Sequence, residues 1–249
     1  MANLTPEHMA LMKDVIREKI EPSVRKLWAE VRATDSPGSL TLGPNTFDRY
    51  IHDPKRIAFM LARYKFAAKM LRDCDSIIDV GCGDGFGTVT FLTDTKATSV
   101  MGYDFDETLI DYAINQLRPA IRSARGVDAD RIGFFHGDFH EGQNYGVDGI
   151  ACLDVIEHVE PDKGYDFIRK IHSLLNDNGV AVIGTPSELA SAYASPHSQL
   201  GHINLYTPDR LRSELKRCFR QVFLFGLNDE MLHVGYDKMW HYIAAVVCK

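Results

Sequence analysis

The stretch that decides the fold is Ser76–Gly87, which reads SIIDVGCGDGFG. Its first five residues have the short apolar pattern of a buried strand, and glycines then occupy positions 81, 83, 85 and 87. Glycine tolerates a positive φ in a sharp turn, and its missing side chain lets a ligand approach the backbone amides at the start of the next helix. The pattern therefore favours a strand, a ligand-binding turn and a helix over a tight turn that binds nothing.

The spacing of these glycines separates two classes of ligand. A dinucleotide fingerprint, G-x-G-x-x-G, expects glycine at the position that Phe86 occupies. Asp79 directly precedes Val80 and the first glycine, where a carboxylate suits a cationic amine and would repel a pyrophosphate. The spacing favours S-adenosylmethionine, and an NAD-dependent oxidoreductase is the disfavoured alternative.

Beyond this stretch, short apolar runs alternate with amphipathic segments, as in a parallel sheet wrapped by helices. The pattern predicts an α/β fold with a Rossmann-like, doubly wound, mostly parallel seven-stranded sheet, an antiparallel C-terminal hairpin and N-terminal cap helices. The division predicted is a helical cap over 1–54 and a cofactor-binding domain over 55–249, with a substrate loop at 186–206. Strands are expected at 76–80, 99–103, 132–136, 147–152 and 180–184, helices at 5–30, 53–71, 86–93, 107–118, 163–175 and 208–217, and the hairpin at 221–225 and 240–247.

Composition narrows the classes of partner and compartment. The chain has 249 residues and a formal net charge of −6, which argues against broad binding to a phosphate backbone but leaves a local basic patch open. Neither a secretion signal nor a run of about 20 apolar residues is evident, and the five scattered cysteines fit reduced thiols. We expect a cytoplasmic protein that acts on a small-molecule substrate, with no nucleic acid and no membrane as partner; a homodimer is left open.

Four motifs together carry a family resemblance. DVGCGDG at 79–85, GYD at 102–104, GDF at 137–139 and LDVIEHV at 153–159 resemble those of class I S-adenosylmethionine-dependent methyltransferases. Within that class the chain is most similar to the small-molecule branch that includes the ubiquinone-type O-methyltransferases. The resemblance implies methyl transfer from S-adenosylmethionine to an oxygen of a metabolite. N-methylation and a noncatalytic cofactor-binding regulator are the alternatives.

The cofactor residues follow from strand ends and from this resemblance. Asp104 ends the second strand and can accept hydrogen bonds from both ribose hydroxyls, or else cap the next helix. Phe105 can pack on adenine. The resemblance implies that Asp138 accepts from the adenine amino group while the Phe139 amide faces a ring nitrogen. The predicted cofactor site comprises Asp79, Gly81, Cys82, Gly83, Asp104, Phe105, Gly137, Asp138, Phe139 and Asp154.

The residues that bind the methyl acceptor are expected in the long segment 186–206. This segment shows neither helical nor strand periodicity and is typical of a functional lid. His202 and His197 are the candidate catalytic bases, or else residues that satisfy loop backbone. His158 is either a substrate contact or a packed histidine. Neither an HxxxH motif nor a carboxylate cluster has ligand spacing, so the sequence predicts no metal. Arg56 and Arg63 share one helical face and either hold an anionic substrate or are solvated or salt-bridged on the surface.

Overall fold

The computed structural model describes residues 7, 22–35, 38–124, 126–139 and 146–249, apart from the side chain of His197. The chain divides into two compact units, Met1–Gly38 with Ser123–Arg125, and Ser39–Arg122 with Gly126–Lys249. Within the first unit, α1 spans Pro22–Ala33, and most of the helix predicted over 5–30 lies outside the described residues. The domain boundary after position 54 stays a prediction; the two helices that follow position 43 belong to the second unit.

The second unit carries the sheet. Its helices are α2 (Pro44–His52), α3 (Lys55–Met70), α4 (Val89–Asp94), α5 (Glu107–Tyr112), α6 (Arg118–Ser123), α7 (Gly164–Leu174), α8 (Pro196–Gly201) and α9 (Pro208–Leu215). A π-helical turn, Ala113–Leu117, joins α5 to α6, and 3₁₀ turns span Ala129–Arg131, Ile156–His158, Glu188–Tyr193 and Asp237–Met239. Its strands are β1 (Ser76–Val80), β2 (Ser99–Asp104), β3 (Ile132–His136), β4 (Val147–Leu153), β5 (Leu175–Pro186), β6 (Gln221–Asn228), β7 (Met231–His233) and β8 (Tyr242–Cys248).

The described strands form one sheet in the order β3-β2-β1-β4-β5-β8-β6-β7. The pairs from β3 to β5 are parallel, and β8 pairs antiparallel with both β5 and β6. The strand order reverses between β1 and β4, so the connections leave the sheet in opposite directions at that point. In open α/β sheets a ligand crevice forms there, outside the carboxyl ends of the strands.

The fold class predicted from the sequence is confirmed, with one change at the end of the sheet. The two C-terminal strands do pair with each other, but β8 lies between β5 and β6. The described sheet also has an eighth strand, β7, which pairs with β6 at the edge. With three residues, β7 is too short to give an alternating apolar pattern that a sequence would reveal.

Both faces of the sheet are covered, which is why β1 and β4 consist of nearly continuous apolar residues. One face packs against α7 and α9 through Ile168, Ile171 and Leu211, all fully buried. The other packs against α3, α4 and α5 through residues such as Ala67 and Phe91. No helix within the described residues is long and apolar enough to cross a membrane.

Candidate active site

A cavity of about 640 Å³ opens at the carboxyl ends of β1, β2 and β4. Its size falls within the range of small-molecule and cofactor sites. Most of the predicted cofactor residues line it. They are Gly81, Cys82, Gly83, Asp104, Phe105, Gly137, Asp138, Phe139 and Asp154.

The glycine-rich turn forms the floor of this cavity. Gly81 and Gly83 have φ values of 70° and 58°, a region that side-chain-bearing residues rarely adopt. A Cβ atom on Gly81 would also collide with the side chain of Val155. One on Gly83 would lie 3.2 Å from the side-chain Nδ2 of Asn45. Both positions therefore need glycine for the backbone conformation, and Gly81 needs it also because Val155 approaches so closely.

One helix from the N-terminal part of the second unit is fastened to this turn. Thr46 donates its backbone N–H to Oδ2 of Asp84 at 2.7 Å and its hydroxyl to Oδ1 at 2.8 Å, and both residues are buried. Gly43, at the N-cap of α2, supplies no side-chain cap, so Asp84 satisfies a free amide of the first helical turn from another segment. The contact places α2 against the cavity.

Asp104 is oriented by two backbone amides. Its Oδ2 accepts from the N–H of Gly83 at 2.8 Å and its Oδ1 from that of Asp106 at 2.9 Å. The alternative of a helix cap does not apply to Asp104, because Asp106 caps α5 by accepting from Thr108 and Leu109. Each carboxylate oxygen has a further lone pair that can face the cavity. Asp104 therefore stays the predicted ribose ligand.

The residues predicted around adenine lie on the β2 and β3 side of the cavity. Phe105 leaves 86% of its surface exposed, and the ring of Phe139 is buried against Phe167. The carboxylate of Asp138 forms an ion pair with Lys170 at 3.1 Å. The exposed ring of Phe105 provides a flat apolar surface next to the polar edge at Asp138, as recognition of a purine requires.

Asp79 has a different place from the one expected. It is fully buried and does not line the cavity; instead it accepts a hydrogen bond from the Thr88 hydroxyl at 2.6 Å, with the Tyr64 hydroxyl at 3.5 Å. Burial raises the pKa of Asp79 to about 7, against the lowering effect of these two hydroxyls. In this structure the carboxylate contacts Thr88 and Tyr64, and its contact with the cofactor amine stays a prediction.

The cavity wall also contains a cationic residue that was not predicted from the sequence. Arg49 of α2 lines the cavity, and its Nη1 contacts the sulfur of Met60 at 3.2 Å. Within the described part of the chain, no carboxylate lies at ion-pair distance from Arg49. The methionine part of the predicted cofactor carries a carboxylate, which this guanidinium could bind. No motif marks Arg49, because only the docking of α2 on Asp84 brings it to the cavity.

Asp154, at the end of β4, has a φ of 59° and is held by Arg63 of α3. The Nη1 of Arg63 donates to both carboxylate oxygens at 2.9 Å, and its guanidinium lies 3.8 Å from the ring centre of Tyr242. Burial lowers the pKa of Arg63, but the charges of Asp154, Tyr242 and Glu157, together with the hydrogen bond to Asp154, outweigh it and leave this pKa raised. Arg63 is thus committed to an internal ion pair, and the expectation that it holds an anionic substrate or lies on the surface is corrected.

A cluster of potential metal ligands lies beside Asp154. Ligand atoms of Glu157, His158 and His202 all lie within 4.8 Å of one another, and the two imidazole rings are 5.1 Å apart. His158 also lines the cavity, so the cluster adjoins the cofactor site. The reason for excluding a metal no longer holds, because the ligands come from two segments that are distant in sequence. His197 lies in the first turn of α8, and its side chain is outside the described part of the structure.

The environment of Glu157 fits a cation. Its side chain is fully buried, with Oε2 accepting from the Thr185 hydroxyl at 3.0 Å and Oε1 without a hydrogen-bond partner among the described residues. Burial, and secondarily the charge of Asp154, raise the pKa of Glu157 to about 8. His158 places its Nδ1 2.8 Å from the carbonyl oxygen of Gly201, which as an N–H donation leaves Nε2 free to bind a metal.

The sheet, the glycine turn and the carboxylate that ends β2 are the features of a methyltransferase that depends on S-adenosylmethionine. The chain belongs to the methyltransferase domain family, whose model matches residues 50–218. S-adenosylmethionine is its cofactor, and the enzyme class expected from the sequence is confirmed.

The chain is similar to several methyltransferases, two of which are small RNA methyltransferases by name. The chain is 26% identical over 136 residues to the small RNA 2'-O-methyltransferase of Arabidopsis thaliana, a match over 50% of this chain and 14% of that protein. The solved methyltransferase domain of bacterial CtHen1 has a TM-score of 0.62 at 16% identity, over 76% of this chain and 98% of that one. The small RNA methyltransferase HEN1 has a TM-score of 0.61 at 20% identity, over 75% of this chain and 25% of that one.

These relatives correct one expectation. The net charge of −6 led to the expectation of no nucleic acid partner, and that expectation was wrong, since the similar proteins include small RNA methyltransferases. Net charge averages over the whole surface, whereas recognition of a nucleic acid depends on the local site. The match covers only about one seventh of the curated relative's length. The small-molecule branch is not confirmed.

Proposed function

We propose that this protein transfers a methyl group from S-adenosylmethionine to a ribose 2'-hydroxyl of RNA, with a divalent cation at the cluster of Glu157, His158 and His202. The observation that carries the proposal is the buried, unpartnered Oε1 of Glu157 beside two imidazoles at the edge of the cofactor cavity. The similarity to a small RNA 2'-O-methyltransferase over half of the chain supports the choice of acceptor.

On the donor side, the chain's own residues supply complementary charges to each end of the cofactor. Asp104 would accept from the ribose hydroxyls, and Arg49 would donate to the methionine carboxylate. Phe105 and Asp138 would receive the adenine. Leu153 and Asp154, at the end of β4, border the space between these two groups of contacts and the cation cluster.

On the acceptor side, the three ligands would hold the ion with positions left open for oxygens of the substrate. A bound divalent ion lowers the pKa of a hydroxyl that it binds, and so eases loss of the proton. His158 belongs to both the cluster and the cavity wall, so an acceptor held at the cluster would lie next to the cofactor. Methyl transfer chiefly demands this alignment of acceptor and donor.

The two histidines predicted as catalytic bases have different roles in the proposed reaction. His202 acts as a cation ligand, since it lies against His158. His197 stays the predicted base, in the helix that follows the 3₁₀ turn Glu188–Tyr193. The cytoplasmic location and a homodimer also stay predictions.

The excess of acidic residues limits how RNA can be held. With 34 acidic and 28 basic residues, the chain is poorly suited to a long phosphate track. We therefore expect recognition of a single ribose at the cation cluster with few phosphate contacts. A shallow dependence of the Michaelis constant on salt is the corresponding expectation.

The test measures transfer of a radiolabelled methyl group from S-adenosylmethionine into short RNAs and, in parallel, into extracted metabolites. Chelated enzyme should be inactive on RNA, and Mn²⁺ or Mg²⁺ should restore activity. RNA with 2'-deoxyribose at the labelled position should accept no methyl group. Glu157→Gln and His202→Ala should abolish transfer, whereas His172→Ala, at the far end of α7, should not.

Two results would contradict the proposal. Label that appears in metabolites and never in RNA would favour the small-molecule O-methyltransferase expected from the sequence. Full activity on RNA after exhaustive chelation would remove the cation from the mechanism.

A further inference from the structure

The segment that carries His202 is joined to the turn that carries Glu157 and His158 by two hydrogen bonds. The backbone N–H of Asn204 donates to the carbonyl oxygen of Glu157 at 3.0 Å, and Nδ1 of His158 lies 2.8 Å from the carbonyl oxygen of Gly201. His202 lies between these two points along the chain. The distance between the two parts of the cation cluster therefore depends on how this segment is held.

Arg210, in the first turn of α9, holds the same segment with all three nitrogens of its guanidinium. Nη2 donates to the side-chain oxygen of Asn204 at 2.7 Å, Nη1 to the carbonyl oxygen of Leu205 at 2.8 Å and Nε to the carboxylate of Glu214 at 2.9 Å. The central carbon of the guanidinium lies 4.2 Å from the ring centre of Tyr206. The planar fork of arginine serves such acceptors in fixed directions, whereas the compact ammonium of lysine lacks this geometry.

Asn204 is the residue through which Arg210 reaches the cluster. Its side chain is buried, donates from Nδ2 to the hydroxyl of Tyr206 at 3.1 Å and accepts from Arg210, while its backbone N–H contacts Glu157. Gly164, the first residue of α7, leaves room for this arrangement, since a Cβ atom there would lie 2.8 Å from the Tyr206 hydroxyl. The loss of either partner would leave a polar atom of Asn204 buried and unsatisfied, which fixes Asn204 in this position.

On the basis of the cation site proposed above, we propose that Arg210 is a positioning residue that, through Asn204, holds His202 at the distance from Glu157 and His158 that a divalent cation requires. Arg210 is neither a member of the ligand cluster nor part of the cavity lining. Residues that orient metal ligands commonly change the affinity for the ion by about tenfold to hundredfold. Arg210 would thereby set the affinity for the ion without touching either the ion or the cofactor.

The first measurement follows hydrogen exchange and needs no metal. Arg210→Met keeps an apolar stem over Tyr206 and removes all three donors. The Asn204 N–H should then exchange with deuterated solvent about tenfold faster than in wild type, because its hydrogen bond to Glu157 opens more often. Amides in the centre of β5 should be affected less, since they open only when the sheet unfolds. Arg212→Met, at an exposed position of the same helix, is the control.

The second measurement is a titration with Mn²⁺ followed by the electron paramagnetic resonance signal of the free ion, which needs no catalytic turnover. Arg210→Met should bind Mn²⁺ about tenfold to hundredfold more weakly than wild type, because His202 is no longer held against His158. The affinity for S-adenosylhomocysteine should stay within about twofold of wild type, since Arg210 does not line the cavity. Arg210→Lys keeps the charge without the fork, and its Mn²⁺ affinity should fall between the other two.

The outcomes separate this inference from the proposal on which it rests. Wild-type protein that binds no Mn²⁺, or binds it unchanged after Glu157→Gln, would refute the cation site itself. Wild-type binding together with unchanged exchange at Asn204, or with unchanged Mn²⁺ affinity in Arg210→Met, would overturn the role of Arg210 alone. An equal loss of affinity for S-adenosylhomocysteine would also overturn it, because the variant would then loosen both sites. Should Arg210→Met fail to fold, Arg210→Lys decides: wild-type exchange and wild-type Mn²⁺ affinity in that variant would exclude the positioning role.

Discussion

Thr46 gives both its backbone N–H and its hydroxyl to the carboxylate of Asp84, at 2.7 and 2.8 Å. The pair joins α2 to the glycine-rich turn, so a helix that precedes the cofactor-binding motifs in sequence becomes part of the cofactor cavity. Asn45 and Arg49 of the same helix line that cavity. The affinity for the cofactor should therefore depend on residues outside the motifs.

The first prediction concerns this pair. Thr46→Val keeps the shape of the side chain but leaves Oδ1 of Asp84 without its donor, and we expect it to lower the free energy of unfolding by about 1–3 kcal/mol. Affinity for S-adenosylhomocysteine should fall as well. Urea unfolding and calorimetry measure the two effects, with Thr93→Val, at an exposed position of α4, as the control. Equal values for the two variants would show that the pair does not fasten α2.

The second prediction concerns Asp104. Asp104→Ala should weaken binding of S-adenosylmethionine by about 1–3 kcal/mol, if its carboxylate accepts from the ribose hydroxyls. Calorimetric titration measures the change, and Asp111→Ala, an exposed position on α5, is the matched control. Unaltered affinity in a folded Asp104→Ala protein would remove this residue from the cofactor site.

The third prediction concerns Arg49 and compares two ligands, one with and one without the methionine carboxylate. Wild-type protein should bind S-adenosylhomocysteine more tightly than 5'-methylthioadenosine, which lacks the methionine carboxylate. Arg49→Ala should lose about 1.5–3 kcal/mol for the first ligand and little for the second, because only the first offers an anion to the guanidinium. Arg56→Ala serves as the control. A loss that is the same for both ligands would place the effect in α2 itself rather than in an ion pair.

The fourth prediction concerns pH and Asp79. Its pKa is raised by burial from an ordinary value of 3.8 to about 7, so the folded state favours the protonated acid. The stabilising contribution is fully present below pH 3.8 and is lost as the pH rises through 7. Between these limits, the free energy of unfolding of Asp79→Asn should fall less with pH than that of wild type, by up to about 1.4 kcal/mol per pH unit.

Urea unfolding at intervals from pH 4.5 to 8 checks this dependence. Asp111→Asn, whose side chain is exposed, should follow the wild-type curve. Parallel curves for Asp79→Asn and wild type would show that the carboxyl titrates near its ordinary value.

Most of the candidate cofactor-binding residues could be predicted from the sequence, because their positions depend on residues close to them along the chain. Glycines at 81 and 83 are needed for the conformation of a single turn, Asp104 ends a strand, and Asp138 lies two residues after the next one. Parallel strands bring their carboxyl ends to one edge, so consecutive strand ends meet without any knowledge of packing. The burial of Asp79 was not predictable in this way, because it depends on Tyr64 from α3 and on Thr88.

The sequence by itself therefore determined the class of fold and the methyl donor, beginning with the glycine-rich turn of Ser76–Gly87. Only the tertiary structure brought His202 to Glu157 and His158, Arg49 to the cavity and Arg63 to Asp154. Turns and strand ends are set by interactions between residues close along the chain. Contacts between α2, α3 and the segment before α9 depend on how whole elements pack, and no local pattern records them.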